Sequence, residues 1–335
     1  MSLAARLQRI WYDGAPPPFW LQMLVPVYRA LRGLHLWMYR TGIRRTVRVD
    51  APVIVVGNLT AGGSGKTPLV IALVEALRAR GFKPAIVSRG YGGTQRAAAV
   101  LDDTLDPARY GDEPSLIRRR TGAEVAVGRK RAEAAALLVR RGANVIIADD
   151  GLQNPSLARD IEICVIDGQR RFGNEQQLPA GPLREPLSRL ESIDFRICNG
   201  ARAERGEIPM RLAGEVAVAV AGASRTRALA SFSRQRVHAV AAIGNPGRFF
   251  TGLQARGIEV IPHAFPDHHA FVASDIAFAD TLPMLMTEKD AIKCIAFAGP
   301  DAWCVPVSAE VPATFVDAVV ARLRLQVRPA SASEM

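Results

Sequence analysis

The stretch "NLTAGGSGKTPL", residues 58–69, decides how the chain is read. Before it, "PVIVVGNL" (52–59) is a continuous β-branched run of the kind found in a parallel strand buried on both faces. After it, Leu69, Leu73 and Leu77 recur at helical spacing. A glycine-rich turn between a buried strand and a helix N-terminus points backbone N–H groups at an anion. Thr60, Ala61, Gly62, Gly63, Ser64, Gly65, Lys66 and Thr67 therefore form a candidate nucleotide-binding loop. In it Lys66 supplies a point charge for the β and γ phosphates, and Thr67 offers a hydroxyl to Mg²⁺. Pro68 suits a first helical turn, where its missing N–H costs nothing. The one departure from the pattern G-x-x-x-x-G-K-[ST] is Thr60, which stands where the first glycine is usual.

The same grammar repeats downstream. "AIVSRG" (85–90) and "EVAVG" (124–128) read as strands, 129–141 as a helix closed by Gly142, and "NVIIADD" (144–150) as a further strand. Such alternation predicts an α/β fold, a P-loop NTPase-like, doubly wound, mostly parallel sheet with ligands at the carboxyl ends of its strands. Asp149 and Asp150 stand at one such end, where a carboxylate can reach a Mg²⁺ or its water shell across from Thr67. Gln153, in "DDGLQ", is close enough to orient a water or a metal ligand. The acidic pair of "YGDEPSLIRRR" (110–120), taken on its own, reads as first-turn carboxylates complementing a helix dipole.

Further on, "LPAGPLREP" (178–186) is a proline-rich loop with Arg184 and Glu185 at its tip, followed by the strand "IDFRICN" (193–199). Another βαβ-like unit follows at 237–265, ending in "FPDHHAF", where Asp267, His268 and His269 are possible proton carriers. "LMTEKDAIK" (285–293) places Lys289 and Asp290 at one more strand end, in an order unlike the N-K-x-D of a guanine-reading GTPase. The expected division is an N-terminal segment at 1–48, a nucleotide-binding core at 49–200, and a smaller α/β lobe at 201–335 that contributes the FPDHH loop.

The chain has 335 residues, 49% hydrophobic and 22% charged, enough to bury a sizeable core and unlike a disordered composition. An excess of 43 Lys and Arg over 32 Asp and Glu, +11 in all, favours polyanionic partners: nucleic acid, anionic headgroups or phosphorylated substrates. Cys164, Cys198, Cys294 and Cys304 stand far apart, which argues against a disulfide framework or a structural zinc site. The segment 19–39 is the most apolar, but Arg29 and Arg32 interrupt it, and the charge-free run from Gly14 to Tyr28 holds four prolines. It is too short to span a bilayer, which needs ~20 apolar residues. Trp11, Trp20, Trp37, Tyr12, Tyr28 and Tyr39, interleaved with arginines, suit an amphipathic helix lying on an anionic membrane surface.

Taken in order, "NLTAGGSGKTP", "SRGYGG" (88–93), "GDEP" (111–114), "DDGLQ" (149–153), "LPAGPLREP", "FPDHH" and "TEKD" resemble the tetraacyldisaccharide 4'-kinase family, the lipid A kinases of Gram-negative bacteria. The likeness runs from about residue 20 to residue 295, and Thr60 is usual in that family, whereas Asn154 stands where members more often have His. The resemblance implies transfer of the γ-phosphate of ATP, with Mg²⁺, to the 4'-hydroxyl of an acylated disaccharide 1-phosphate. It also implies a peripheral location at the cytoplasmic face of the bacterial inner membrane. Carried over to this sequence, Thr67, Asp149, Asp150, Gln153 and Glu185 fall at metal and nucleotide positions, and Arg184 becomes a candidate phosphate contact. Asp112 and His268 become a catalytic dyad, which replaces the helix-dipole reading of "GDEP" and leaves open which member takes the proton.

Three rivals stand beside this reading. A P-loop GTPase or metallochaperone switch is disfavoured by the missing N-K-x-D and by the lack of a Cys/His metal pair. A kinase of a soluble sugar is the closest enzymatic alternative, and detergent dependence with no turnover on unacylated sugars would count against it. Nucleic-acid binding lacks a recognisable module. Nothing in the sequence calls for an obligate protein partner.

Overall fold

A computed structural model describes residues 3–200, 202–222 and 225–326. Two helices, α1 (Leu3–Tyr12) and α2 (Phe19–Arg40), come first, separated by Pro16, Pro17 and Pro18, which cannot continue a helix. The core then runs β1 (Val53–Gly57), α3 (Lys66–Arg78), β2 (Pro84–Ser88), β3 (Ala99–Val100), α4 (Pro107–Tyr110), α5 (Asp112–Thr121), β4 (Val125–Val127), α6 (Arg131–Arg140), β5 (Val145–Asp149), β6 (Ile161–Asp167), β7 (Phe195–Asn199) and β8 (Ile208–Ala213). A smaller lobe contains β9 (Val216–Ala219), β10 (Thr226–Ala228), β11 (Arg236–Ala241), α7 (Pro246–Gln254), β12 (Glu259–Ala264), β13 (Met284–Thr287), α8 (Glu288–Cys294) and β14 (Ala302–Val305). The described chain closes with β15 (Ser308–Glu310) and α9 (Ala313–Gln326).

Among the described residues the larger sheet has nine strands in the order β15-β8-β7-β6-β1-β5-β2-β4-β3. Its interior is parallel and only the edge strands β3 and β15 are antiparallel, as expected of a sheet covered on both faces. Strand β1 lies between β5 and β6, all five of its residues are buried, and Val56 pairs with Asp149. That register sets the end of β5 beside the loop that leaves β1. One face is packed by α3, α5 and α9, the other by α6 and the Leu183–Leu190 region.

The division expected at residue 200 is displaced. Strands β8 and β15 extend the larger sheet, and α9 buries Phe315, Val316, Val319, Val320 and Leu323 on its face. Each such side chain contributes about 1.5–3 kcal/mol, so the C-terminal helix is held to the nucleotide-binding core, not to the lobe that precedes it. Among the described residues the smaller lobe is the six-stranded sheet β10-β9-β14-β13-β11-β12, with two apolar clusters of its own.

Helix α2 is anchored along one stripe. Leu21 and Val25 pack on Ala180, the Tyr28 hydroxyl donates to the Arg184 carbonyl at 2.8 Å, and Arg29 Nε donates to Gln177 Oε1 at 2.6 Å. The opposite stripe, Phe19, Trp20, Met23, Leu24, Val27, Leu31, Leu34 and Trp37, is between 44% and 76% exposed. No helix of the described residues is long and apolar enough to cross a membrane.

Candidate active site

The loop after β1 turns through Gly62 (φ +109°) and Gly65 (φ +95°), a left-handed region that favours glycine. At Gly65 a side chain is barred twice over, because a Cβ would lie 2.3 Å from Asn199 Nδ2. Asn199, at the end of β7, donates to the Ser64 carbonyl at 2.8 Å and so pins the loop from the neighbouring strand. Thr60 forms an antiparallel bridge with Leu183, and Ala61 N–H donates to the Pro182 carbonyl at 2.8 Å. Extended backbone accepts any residue, which explains why this position needs no glycine. From the smaller lobe Gly244 covers the loop so closely that a Cβ on it would come within 2.7 Å of the Gly63 nitrogen. Arg248, at the start of α7, donates to Asn199 Oδ1 at 2.8 Å.

Lys66 is buried, donates to Asn58 Oδ1 at 3.2 Å and lies 3.5 Å from Asp150 Oδ1. Arg184 reaches the same carboxylate at 3.1 Å and Gln153 Oε1 at 3.3 Å. Burial alone would push the Asp150 carboxyl up, but Lys66, Arg184 and Arg131 outweigh it and hold the group well below the usual carboxylate range. Asp149 is in the opposite condition. It is fully buried, neither carboxylate oxygen has a hydrogen-bond partner among the described residues, and burial, with Glu113 and Asp150 nearby, pushes it up to about 7. An orphaned buried carboxylate is costly unless a cation completes it.

Asp149, Asp150 and the Thr67 hydroxyl thus offer hard oxygen donors of the kind Mg²⁺ takes. Among the described residues no group of three or more His, Cys, Asp or Glu could hold a metal by itself. Mg²⁺ relies on few carboxylates plus phosphate oxygens and water. Gln153 and Glu185, expected at metal positions, sit one layer back. Gln153 Nε2 donates to the Asn58 carbonyl at 3.0 Å and to Glu185 Oε1 at 2.9 Å. Glu185 Oε2 is engaged by Arg32 at 2.9 Å and by Arg189 at 3.4 Å.

Across the cleft, Asp112 opens α5 and is 7% exposed, and His268 Nδ1 lies 3.2 Å from its Oδ2. His268 holds a left-handed backbone (φ +61°), rare outside glycine, and its N–H donates to the Ala242 carbonyl at 3.3 Å. The Tyr91 ring lies against the imidazole at 4.8 Å. Burial works to raise the Asp112 carboxyl, but the His268 hydrogen bond, backed by Lys293 and Lys289, holds it below its ordinary value. A single cavity of about 1970 Å³ is lined by Gly62–Thr67, Asp150, Arg184, Glu113 and His268. Glu113 feels Lys66 and Asp150 as well as Lys289, so loop and dyad share one electrostatic environment. The other histidine of the motif, His269, turns away to Asp275 at 2.9 Å.

The profile of the family described as tetraacyldisaccharide-1-P 4'-kinase matches residues 18–324. The chain belongs to this family. A tetraacyldisaccharide 4'-kinase of Stenotrophomonas maltophilia is 50% identical over 93% of this chain and 95% of the relative. One from Xanthomonas euvesicatoria is 49% identical over 93% and 94%. The crystal structure of the "apo" form of LpxK from Aquifex aeolicus, in complex with ATP, superposes with a TM-score of 0.74, covering 90% of this chain and 99% of that one at 24% identity. That likeness bears on the fold.

The roles of several residues in this family member escaped the motif reading, even where, as with Asn58 and Lys289, the residue stood within a quoted stretch. Asn58 and Asn199 brace the loop, and their signal, an Asn just after or at the end of a buried strand, is shared with countless turns. Arg131 is 4% exposed, donates to the Asp150 carbonyl at 2.8 Å, and leaves Nε and one Nη without a partner among the described residues. Lys289 and Lys293 lie on one face of α8, four residues apart, and both point at the dyad.

Proposed function

We propose that this chain transfers the γ-phosphoryl of ATP to the 4'-hydroxyl of a tetraacyldisaccharide 1-phosphate with Lys66, Thr67, Asp149, Asp150, Asp112 and His268 in the working roles. The loop 60–67 and Lys66 grip the phosphates, and Asp149, Asp150 and Thr67 hold Mg²⁺. When bound, the ion neutralises charge on the β and γ phosphate oxygens. The acceptor oxygen bonds to the γ-phosphorus, the bond to the β–γ bridging oxygen breaks, and the hydroxyl proton passes to the Asp112–His268 pair. Most of the acceleration comes from positioning and charge neutralisation, since a loose phosphoryl transition state asks little covalent help of the protein. Gln153 and Glu185 hold Asp150 and Arg184 in place, and Arg184 steadies a phosphate.

The observation that carries the reading is the meeting in one cleft of Lys66 with Asp150 at 3.5 Å and of Asp112 with His268 at 3.2 Å. The exposed apolar stripe of α2 supplies the membrane contact. A four-chain lipid leaves a bilayer only at a cost of about 0.8 kcal/mol per CH₂, so the enzyme goes to its substrate as a peripheral protein of the cytoplasmic leaflet. The test is transfer of labelled γ-phosphate to a tetraacyl disaccharide 1-phosphate in mixed micelles. Transfer to the acylated acceptor, none to its unacylated counterpart, and loss of transfer in Lys66→Ala are expected. Turnover on the unacylated sugar, or hydrolysis indifferent to acceptor, would instead favour a soluble-sugar kinase or a nucleotide switch.

A further inference from the structure

Lys289 has no part in the phosphate and metal roles proposed above, yet its side chain is 16% exposed and its ammonium is aimed into the dyad. Its Nζ lies 3.4 Å from His268 Nε2, 3.2 Å from Glu113 Oε1 and 3.6 Å from Asp267 Oδ1. We propose that Lys289 is a positioning residue that fixes His268 as the neutral tautomer protonated on Nδ1. This rests on the dyad reading above and deepens it.

A lysine ammonium has three N–H donors and no acceptor, and an ionised carboxylate only accepts. His268 stands between the two, Nε2 toward Lys289 and Nδ1 toward Asp112 Oδ2 at 3.2 Å. A neutral imidazole has one donor and one acceptor nitrogen, so both contacts are hydrogen bonds only when Nδ1 carries the proton. The opposite tautomer would face N–H with N–H at Lys289 and lone pair with lone pair at Asp112, losing both. An imidazolium would set two cations 3.4 Å apart. Asp267 Oδ1, at 3.9 Å from Nε2, is too distant to draw a proton there and is itself paired with Lys289.

The consequence is a division of labour. His268 Nδ1–H and Lys293, at 3.5 Å, both occupy Asp112 Oδ2, while no hydrogen bond to Oδ1 is found among the described residues. With its only basic nitrogen turned to Lys289, His268 orients Asp112, and Oδ1 is the atom open to an acceptor hydroxyl.

The experiment is nitrogen NMR on full-length protein carrying isotope-labelled histidine, in detergent micelles at neutral pH, with His268 identified by loss of its signals in His268→Gln. Wild type is expected to show protonated Nδ1 and bare Nε2. Lys289→Met should move the proton to Nε2 or mix the tautomers and lower kcat by roughly tenfold to a hundredfold, with little change in KM for ATP. Lys289→Arg, which keeps a charged donor, should keep the wild-type pattern and recover most of the rate. Wild-type His268 protonated on Nε2 or on both nitrogens would overturn the inference, as would an unaltered pattern or an unaltered kcat in Lys289→Met. The wild-type tautomer is read without turnover, His268→Gln serving only to assign the signals, so it fails separately from the phosphotransferase reading.

Discussion

Arg32 Nη2 lies 2.9 Å from Glu185 Oε2, joining the helix that exposes an apolar face to the polar network beneath Lys66. The chain of contacts runs Arg32, Glu185, Gln153, Arg184, Asp150, Lys66, with every link at 3.5 Å or less. Helix α2 is therefore part of the site's scaffold. Removing it whole would confound release from the membrane with damage to the site.

Arg32→Ala leaves Glu185, whose side chain is 5% exposed, with Arg189 and Gln153 but without its nearest cation. Truncating one partner of a buried charged hydrogen bond costs about 1–3 kcal/mol. The expected result is a lower melting temperature together with a reduced kcat, and partial recovery in Arg32→Lys. Unchanged melting and rate would show that the link carries nothing.

On the outer face of α2, Trp20, Leu24 and Leu31 are exposed and make no part of the inner stripe. Replacing all three by Glu removes apolar surface worth about 1.5–3 kcal/mol per side chain when fully buried. Co-sedimentation with anionic vesicles should fall by on the order of a hundredfold or more, while turnover on micelle-dispersed acceptor persists. Binding that survives the triple change would place the membrane contact elsewhere.

Asp149 gives a pH signature in magnesium-free buffer. In the native state its carboxyl keeps a proton up to about pH 7, whereas the unfolded chain releases it near pH 4. Between those values the unfolded state binds fewer protons, so this residue's contribution to stability is full below the unfolded value and is lost as pH rises toward 7. Asp149→Asn should consequently melt above wild type at pH 8, by on the order of a few kcal/mol, with the gap closing toward pH 4. Magnesium with ATP should stabilise wild type more than the variant. A gap that does not narrow with falling pH would contradict the assignment.

The loop, the buried strand β1 and the acidic end of β5 were legible because each is a local pattern: glycines where φ is positive, a β-branched run, and carboxylates after four apolar residues. The lobe boundary was not, since β8 and α9 join the larger sheet through contacts that no local pattern announces. Asp112 alone reads as a helix-dipole carboxylate, and it becomes a partner of His268, 156 positions further along the chain, only when the chain folds back. Likewise Glu185 reads as a loop-tip acid, and only the fold hands its oxygens to Arg32, Arg189 and Gln153.

The most direct measurement pairs ATP affinity with labelled phosphate transfer to the acylated acceptor in Asp112→Ala, His268→Ala and wild type. Both variants are expected to bind Mg-ATP nearly as wild type does, because Lys66 and the loop are untouched. Turnover should fall by roughly 10²- to 10⁴-fold, the range for a positioned acid or base. Near-normal transfer in both variants would contradict the account.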